Sequence, residues 1–198
     1  MRAAAFLDRD GVLNALARDP VTGAPESPLD PDEVRLLPGA AVGARRLSDA
    51  GFLLVGVSNQ PAAAKGLVPM TVLEQVQARV LELLRAEGVS FGAFELCFHH
   101  PDAVVADLRR VCDCRKPAPG MLFEAARELD LDLTASWMIG DTDGDVAAGR
   151  AARCHTLLIE HQPSSHKRSG RAPAEVRAPD LLSGVGLVLP AIRGVAGG

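Results

Sequence analysis

Two acids follow directly on an apolar run in Phe6-Leu7-Asp8-Arg9-Asp10-Gly11-Val12-Leu13-Asn14. Carboxylates at i and i+2 repel one another unless a cation stands between them. With a divalent metal held there, Asp8 is a candidate nucleophile and Asp10 a candidate proton carrier. Without one, the same residues make a strand-ending turn with two solvated acids. Val57-Ser58-Asn59-Gln60 ends a second apolar run with a hydroxyl and two amides, donors suited to phosphoryl oxygens and equally at home in a strand-to-loop junction. Arg115-Lys116-Pro117 pairs a bidentate fork with a point charge, a combination that suits phosphate or an exposed basic turn. Lys stands at only three positions, 65, 116 and 167, in a chain otherwise served by Arg. In Met138-Ile139-Gly140-Asp141-Thr142-Asp143-Gly144-Asp145, Asp141 is placed as an oxygen ligand for Mg²⁺. Asp143 and Asp145 also read as first-turn acids favoured by a helix dipole.

A second cluster differs in kind. Cys97-Phe98-His99 and Cys112-Asp113-Cys114 offer three thiolates and one imidazole, the Cys₃His donor set of structural Zn²⁺. Four protein donors leave no open position for water. His100 competes with His99 for the fourth place. Cys154 reads as a buried thiol outside the set.

Short apolar runs alternating with helical stretches must position these residues, and that alternation predicts an α/β fold with a parallel sheet. Strands are expected at Ala3–Leu7, Phe52–Val57, Phe94–Phe98, Trp137–Ile139 and His155–Ile159. Helices are expected at Ala40–Ala50, Met70–Glu87, Pro119–Leu129, Asp143–Ala152 and Asp180–Ile192. Three segments read as loops: Ala15–Leu37, rich in Pro; His99–Pro117, carrying the Cys/His cluster; and Gln162–Pro179, polar and expected to be mobile. In such sheets ligands bind at the carboxyl ends of strands, where Asp8, Ser58 and Asp141 fall.

The four motifs, in this order, resemble the haloacid dehalogenase-like phosphatase superfamily. The Cys/His cluster and the Arg-Lys-Pro run resemble its zinc-loop branch, which holds heptose bisphosphate phosphatases and histidinol-phosphate phosphatases. The resemblance implies one Rossmann-like three-layer domain over residues 1–198, with a zinc loop at about 97–117 and no large cap. It also implies phosphomonoester hydrolysis through an aspartyl-phosphate on Asp8, with Asp10 as acid and base. Mg²⁺ would be bound by Asp8, Asp141 and the backbone carbonyl of Asp10. Ser58 and Lys116 would hold the transferring phosphoryl group, Asn59 and Arg115 would contact substrate, and Asp145 would orient Lys116. Lys65 and Arg18 lie on loops within reach of the same mouth. The expected substrate is a small phosphorylated sugar, with histidinol phosphate as the alternative. Two segments depart from that branch. The loop after Asn14 lacks an Asp-His-Gly-Tyr-like run, and Pro61-Ala62-Ala63-Ala64-Lys65-Gly66 replaces Ser-Gly-Ile-Ala-Arg-Gly.

Composition narrows the classes. The 198 residues are 47% hydrophobic and 23% charged with a net charge of −4, and suffice for a substantial core. Only 4% are aromatic, none is Tyr, and no basic stripe tracks a phosphate backbone, which argues against nucleic-acid partners and a polynucleotide 3′-phosphatase. A silent zinc-stapled module would have lost its acids, and these are present. No run of 18 apolar residues exists to span a membrane, and the start lacks a signal-peptide core. A cytoplasmic monomer is the expectation.

Overall fold

The computed structural model describes residues 1–19, 23–170 and 172–195. In chain order its strands and helices are β1 (Ala4–Leu7), β2 (Ala17–Arg18), β3 (Pro25–Glu26), α1 (Ala40–Asp49), β4 (Leu53–Asn59), α2 (Met70–Ala86), β5 (Ala93–Cys97), α3 (Gly120–Leu129), β6 (Trp137–Gly140), α4 (Asp143–Ala151), β7 (His155–Ile159), β8 (Val176–Ala178) and α5 (Leu181–Val195). Six strands form a parallel sheet in the order β5-β4-β1-β6-β7-β8.

The residues of β1 explain why it sits at the centre. All four of its side chains are fully buried, as a parallel strand covered on both faces requires. Because successive side chains alternate, Ala5 and Leu7 pack with α1, α2 and α5 through Leu47, Val76, Val80 and Val185. Ala4 and Phe6 pack with α3 and α4 through Leu122, Ala125 and Ala148. The three-layer α/β arrangement is therefore written into a four-residue run. Gly51 and Gly88 end α1 and α2 at φ 95° and 75°, a backbone region where a Cβ is costly.

Two of the expected loops carry structure. Within Ala15–Leu37, β2 and β3 pair antiparallel; Pro20 lies outside the described residues. Within Gln162–Pro179, a 3₁₀ turn covers Gln162–Lys167 and β8 adds an edge strand beside β7; Arg171 lies outside the described residues. The expectation of a loop without regular structure there is corrected, and side-chain bonds tie the turn to the sheet. The Arg168 guanidinium donates to the carbonyl oxygens of Asp141 and His161, each at 3.0 Å. No described helix is long and apolar enough to cross a membrane.

Candidate active site

The carboxyl ends of β1, β4 and β6 open into one cleft of about 350 Å³, lined by Asp8, Asp10, Ser58, Asn59, Lys65, Arg115, Lys116, Asp141 and Asp145 among others. Asp8 follows β1 and is fixed by its N–H, which donates to the Ile139 carbonyl at 2.9 Å. Asp141 follows β6 and is 1% exposed. Gly11 makes their approach possible. Its φ is 88°, and a Cβ there would lie 2.0 Å from Asp141 Oδ2.

Lys116 ties the cleft together. Its Nζ donates to Asp8 Oδ1 at 2.8 Å and to the Val57 carbonyl at 2.7 Å, and lies 2.6 Å from Asp145 Oδ1. Burial disfavours its charge, yet Asp145 and Asp8 outweigh burial and hold the ammonium well above its ordinary pKa. Asp145 is fixed in turn. Its Oδ2 accepts from the backbone N–H and hydroxyl of Thr142 at 2.9 and 2.6 Å, closing a capping box at the start of α4.

Three carboxylates, those of Asp8, Asp141 and Asp145, bring ligand atoms within 4.8 Å of one another. One ammonium leaves this group with surplus negative charge. Burial, then the neighbouring carboxylates, raise the pKa of Asp141, and burial raises that of Asp8 against the pull of Lys116. Asp141 Oδ1 is buried with no hydrogen-bond partner among the described residues. An unpartnered oxygen in an over-charged, all-oxygen site fits a hard divalent cation.

Asp10 is held differently. Burial alone would raise its pKa, but the Arg9 guanidinium keeps it below the usual range, with help from Asn14 and Gln60. Arg9 Nε and Nη2 donate to its two oxygens at 3.2 and 3.0 Å, Asn14 at 2.8 Å and Gln60 at 2.6 Å. Arg9 is fully buried and also reaches Gln77 on α2 at 3.2 Å. Asp10 is thus poised as a carboxylate, and its side chain is not in the acidic cluster. The metal donor implied for it is its backbone carbonyl.

Two side chains named as donors to substrate have other partners. Asn59 Nδ2 donates to the Lys116 carbonyl at 2.9 Å, and its oxygen accepts from the Lys116 N–H at 3.0 Å. It braces the Lys116 turn while still lining the cleft. Gln60 donates to Asp10 and, at 3.0 Å, to Ser58 Oγ. Arg115 lines the cleft and donates to the His99 carbonyl at 3.3 Å. Lys65 lines the cleft as well. Arg18 does not, because its guanidinium turns back to the Gly23 carbonyl at 3.3 Å. Glu26, Ser27 and Lys167 line the cleft without having been singled out as site residues. Only the scarcity of Lys hinted at Lys167.

Cys97, His99, Cys112 and Cys114 converge beside the cleft. The Sγ separations are 3.0 Å for Cys97–Cys114, 3.2 Å for Cys112–Cys114 and 3.6 Å for Cys97–Cys112. His99 Nδ1 lies 3.4 Å from Cys114 Sγ and 3.8 Å from that of Cys97. Tetrahedral zinc with Zn–S bonds of about 2.3 Å needs edges somewhat under 4 Å, so the set fits this metal. His100 stands apart, its Nδ1 accepting from the Asp102 N–H at 3.1 Å. Burial pushes the thiol of the remaining cysteine, Cys154, up to about 12, an inert core group.

Comparison with known proteins agrees with this geometry. A profile of the HAD-hydrolase-like family matches residues 113–183. The D-glycero-beta-D-manno-heptose-1,7-bisphosphate 7-phosphatase of Pseudomonas aeruginosa is 35% identical over 159 residues, covering 80% of this chain and 82% of that one. The Yersinia pestis enzyme of the same name is 34% identical and covers 87% of each. The crystal structure of D,D-heptose 1,7-bisphosphate phosphatase from B. bronchiseptica, complexed with magnesium and phosphate, superposes with a TM-score of 0.78 at 28% identity, over 96% of this chain and 99% of that one. With its catalytic motifs gathered in one cleft and this degree of likeness over most of its length, the chain belongs to the haloacid dehalogenase-like hydrolases, in the family of the D-glycero-beta-D-manno-heptose-1,7-bisphosphate 7-phosphatases.

Proposed function

We propose that the chain is a Mg²⁺-dependent phosphatase that removes the C7 phosphate of D-glycero-D-manno-heptose 1,7-bisphosphate through a phosphorylated Asp8. The observation that carries this reading is the Asp8 carboxylate in the cleft, held by the Lys116 ammonium at 2.8 Å, with the further cations Lys65 and Arg115 lining the same space. The activity named for the relatives from P. aeruginosa and Y. pestis supports it.

An Asp8 oxygen attacks phosphorus, forming an acyl phosphate as the bond to the sugar C7 oxygen breaks. Asp10, a carboxylate in the free enzyme, takes the proton of the bound phosphate monoanion and passes it to that oxygen. Water then attacks phosphorus, Asp10 takes up the proton, and phosphate leaves with the Asp8 carboxylate restored. The Arg9, Asn14 and Gln60 contacts hold Asp10 in the proton-accepting form. Lys116 and Ser58 meet the non-bridging oxygens, work that is mainly electrostatic. Asp8, Asp141 and the Asp10 carbonyl would hold Mg²⁺, which would supply charge neutralisation for the transferring group. Zinc held by Cys97, His99, Cys112 and Cys114 would be structural, since four protein donors leave no position for water. Cysteines gathered for a metal, none of them in a disulfide, suit a reducing compartment, the cytoplasm.

The second phosphate decides the substrate. Lys65 and Arg115 both line the cleft on the β4 and β5 side of the sheet, so positive charge gathers on one side of the mouth. A cationic amine such as that of histidinol phosphate gains nothing there. The test is kcat/KM for the heptose bisphosphate against histidinol phosphate, in the wild type and Arg115→Ala. Loss of the Arg115 contact is expected to cost about 1.5–3 kcal/mol with the bisphosphate alone. Preference for histidinol phosphate, or an equal effect on both substrates, overturns the assignment.

A further inference from the structure

One wall of the cleft takes no part in phosphoryl transfer. Asp8 and Asp141 follow the central strands β1 and β6, while Lys65 and Arg115 come from segments after β4 and β5, on the β1 side of that centre. Lys167 follows β7, on the β6 side. Its Nζ lies 3.1 Å from Oε2 of Glu26, which ends β3. The pair joins two separate insertions across the mouth, and both residues line the same cleft as Asp8.

These are not loose surface groups. The turn that carries Lys167 is fastened to the reaction centre through its neighbour, Arg168, which donates to the Asp141 carbonyl at 3.0 Å and to Ser164 Oγ at 3.3 Å. The N–H of Ser169 donates to Asp143 Oδ2 at 2.6 Å. Lys167 and Glu26 nevertheless keep 32% and 51% of their side chains exposed, so a ligand can reach both.

A paired ammonium and carboxylate present donors and acceptors side by side without net charge. A phosphate placed here would face Glu26, an amine would face Lys167, and an apolar group would desolvate both without replacing a bond. A hydroxyl both donates and accepts, so a hydroxylated carbon chain satisfies both partners together. We propose that Lys167 and Glu26 form a specificity-determining pair that hydrogen-bonds the hydroxyls of the leaving group, on the side of the cleft away from the Lys65 and Arg115 charges. The proposal rests on the sugar-phosphatase reading above and adds to it the part of the substrate between the two phosphates.

The experiment compares Lys167→Met, Glu26→Gln and the double variant with the wild type, on the heptose bisphosphate, a hexitol 6-phosphate and p-nitrophenyl phosphate. The readout is the ratio of kcat/KM for each hydroxylated ester over the aryl ester. A charged-group hydrogen bond corresponds to about a tenfold effect or more, so each single variant is expected to lower that ratio about tenfold, chiefly through KM. A ratio unchanged within twofold overturns the proposal, as does an equal loss on all three esters. Failure of the wild type to hydrolyse the heptose bisphosphate sinks the sugar assignment alone. The hexitol-to-aryl ratio then still decides the role of the pair.

Discussion

At the scale of single residues, the site is built from groups that would be unfavourable anywhere else. Asp8 is buried beside Asp145 and Asp141, and its charge is tolerated because Lys116 touches two of the three. Asp8→Asn removes the proposed nucleophile while relieving that crowding. Turnover is expected to fall by about a thousandfold or more, with a melting temperature equal to or above that of the wild type; substantial residual activity in a clean preparation contradicts the role. Lys116→Met does the reverse, leaving two buried carboxylates without their cation. Removing one member of a buried ion pair costs about 3–5 kcal/mol, and a loss of that order is expected in urea unfolding with chelator present, reduced by added Mg²⁺. An unchanged midpoint in chelator would contradict the arrangement. The acids, Ser58 and Lys116 were legible because strand ends in an α/β sheet bring such residues together. Arg9 was not, since a fully buried arginine is rare and its partners Gln60 and Gln77 lie 51 and 68 residues away. The bracing role of Asn59 was hidden for a related reason. An amide after a strand can serve a ligand or a distant backbone, and only the fold brings Lys116 against it.

Among the elements, legibility followed length and period. The five expected strands and five expected helices all form, with ends that match or shift by at most three residues, because continuous apolar runs and 3.6-residue spacing mark buried strands and amphipathic helices. β2 and β3, with two residues each, and β8, with three, carry no period at all. β2 and β3 pair locally with each other, and the Arg168 guanidinium holds the turn before β8 from Asp141 and His161. Turn geometry was partly readable from glycine. Gly11 is required twice over, by its φ of 88° and by the Asp141 carboxylate pressed against it. Gly11→Ala is therefore expected to displace Asp141, weakening Mg²⁺ activation at least tenfold while the zinc content stays constant; wild-type Mg²⁺ dependence would refute that coupling. The zinc loop makes a complementary prediction. Cys112→Ser removes one of four donors, so zinc content should fall from about one per chain and the melting temperature should drop. A folded, active wild type purified without zinc would exclude a structural metal.

For the molecule as a whole, the sheet order turns separate motifs into a division of labour. β1 and β6 in the centre carry the carboxylates proposed for phosphoryl transfer, β4 and β5 lead to the cations on one side, and β7 leads to the Lys167–Glu26 pair on the other. A chelator that strips the exchangeable oxygen site should abolish turnover, with Mg²⁺ alone restoring it, while the Cys₃His metal persists. Loss of activity that only zinc reverses would contradict this separation. The central claim concerns which phosphate is cleaved, and ³¹P NMR of heptose 1,7-bisphosphate incubated with the protein and Mg²⁺ reads it directly. The C7 phosphomonoester resonance is expected to be replaced by inorganic phosphate while the anomeric C1 phosphate resonance persists. Release of the C1 phosphate, or persistence of both esters while simpler phosphomonoesters are hydrolysed, would contradict it.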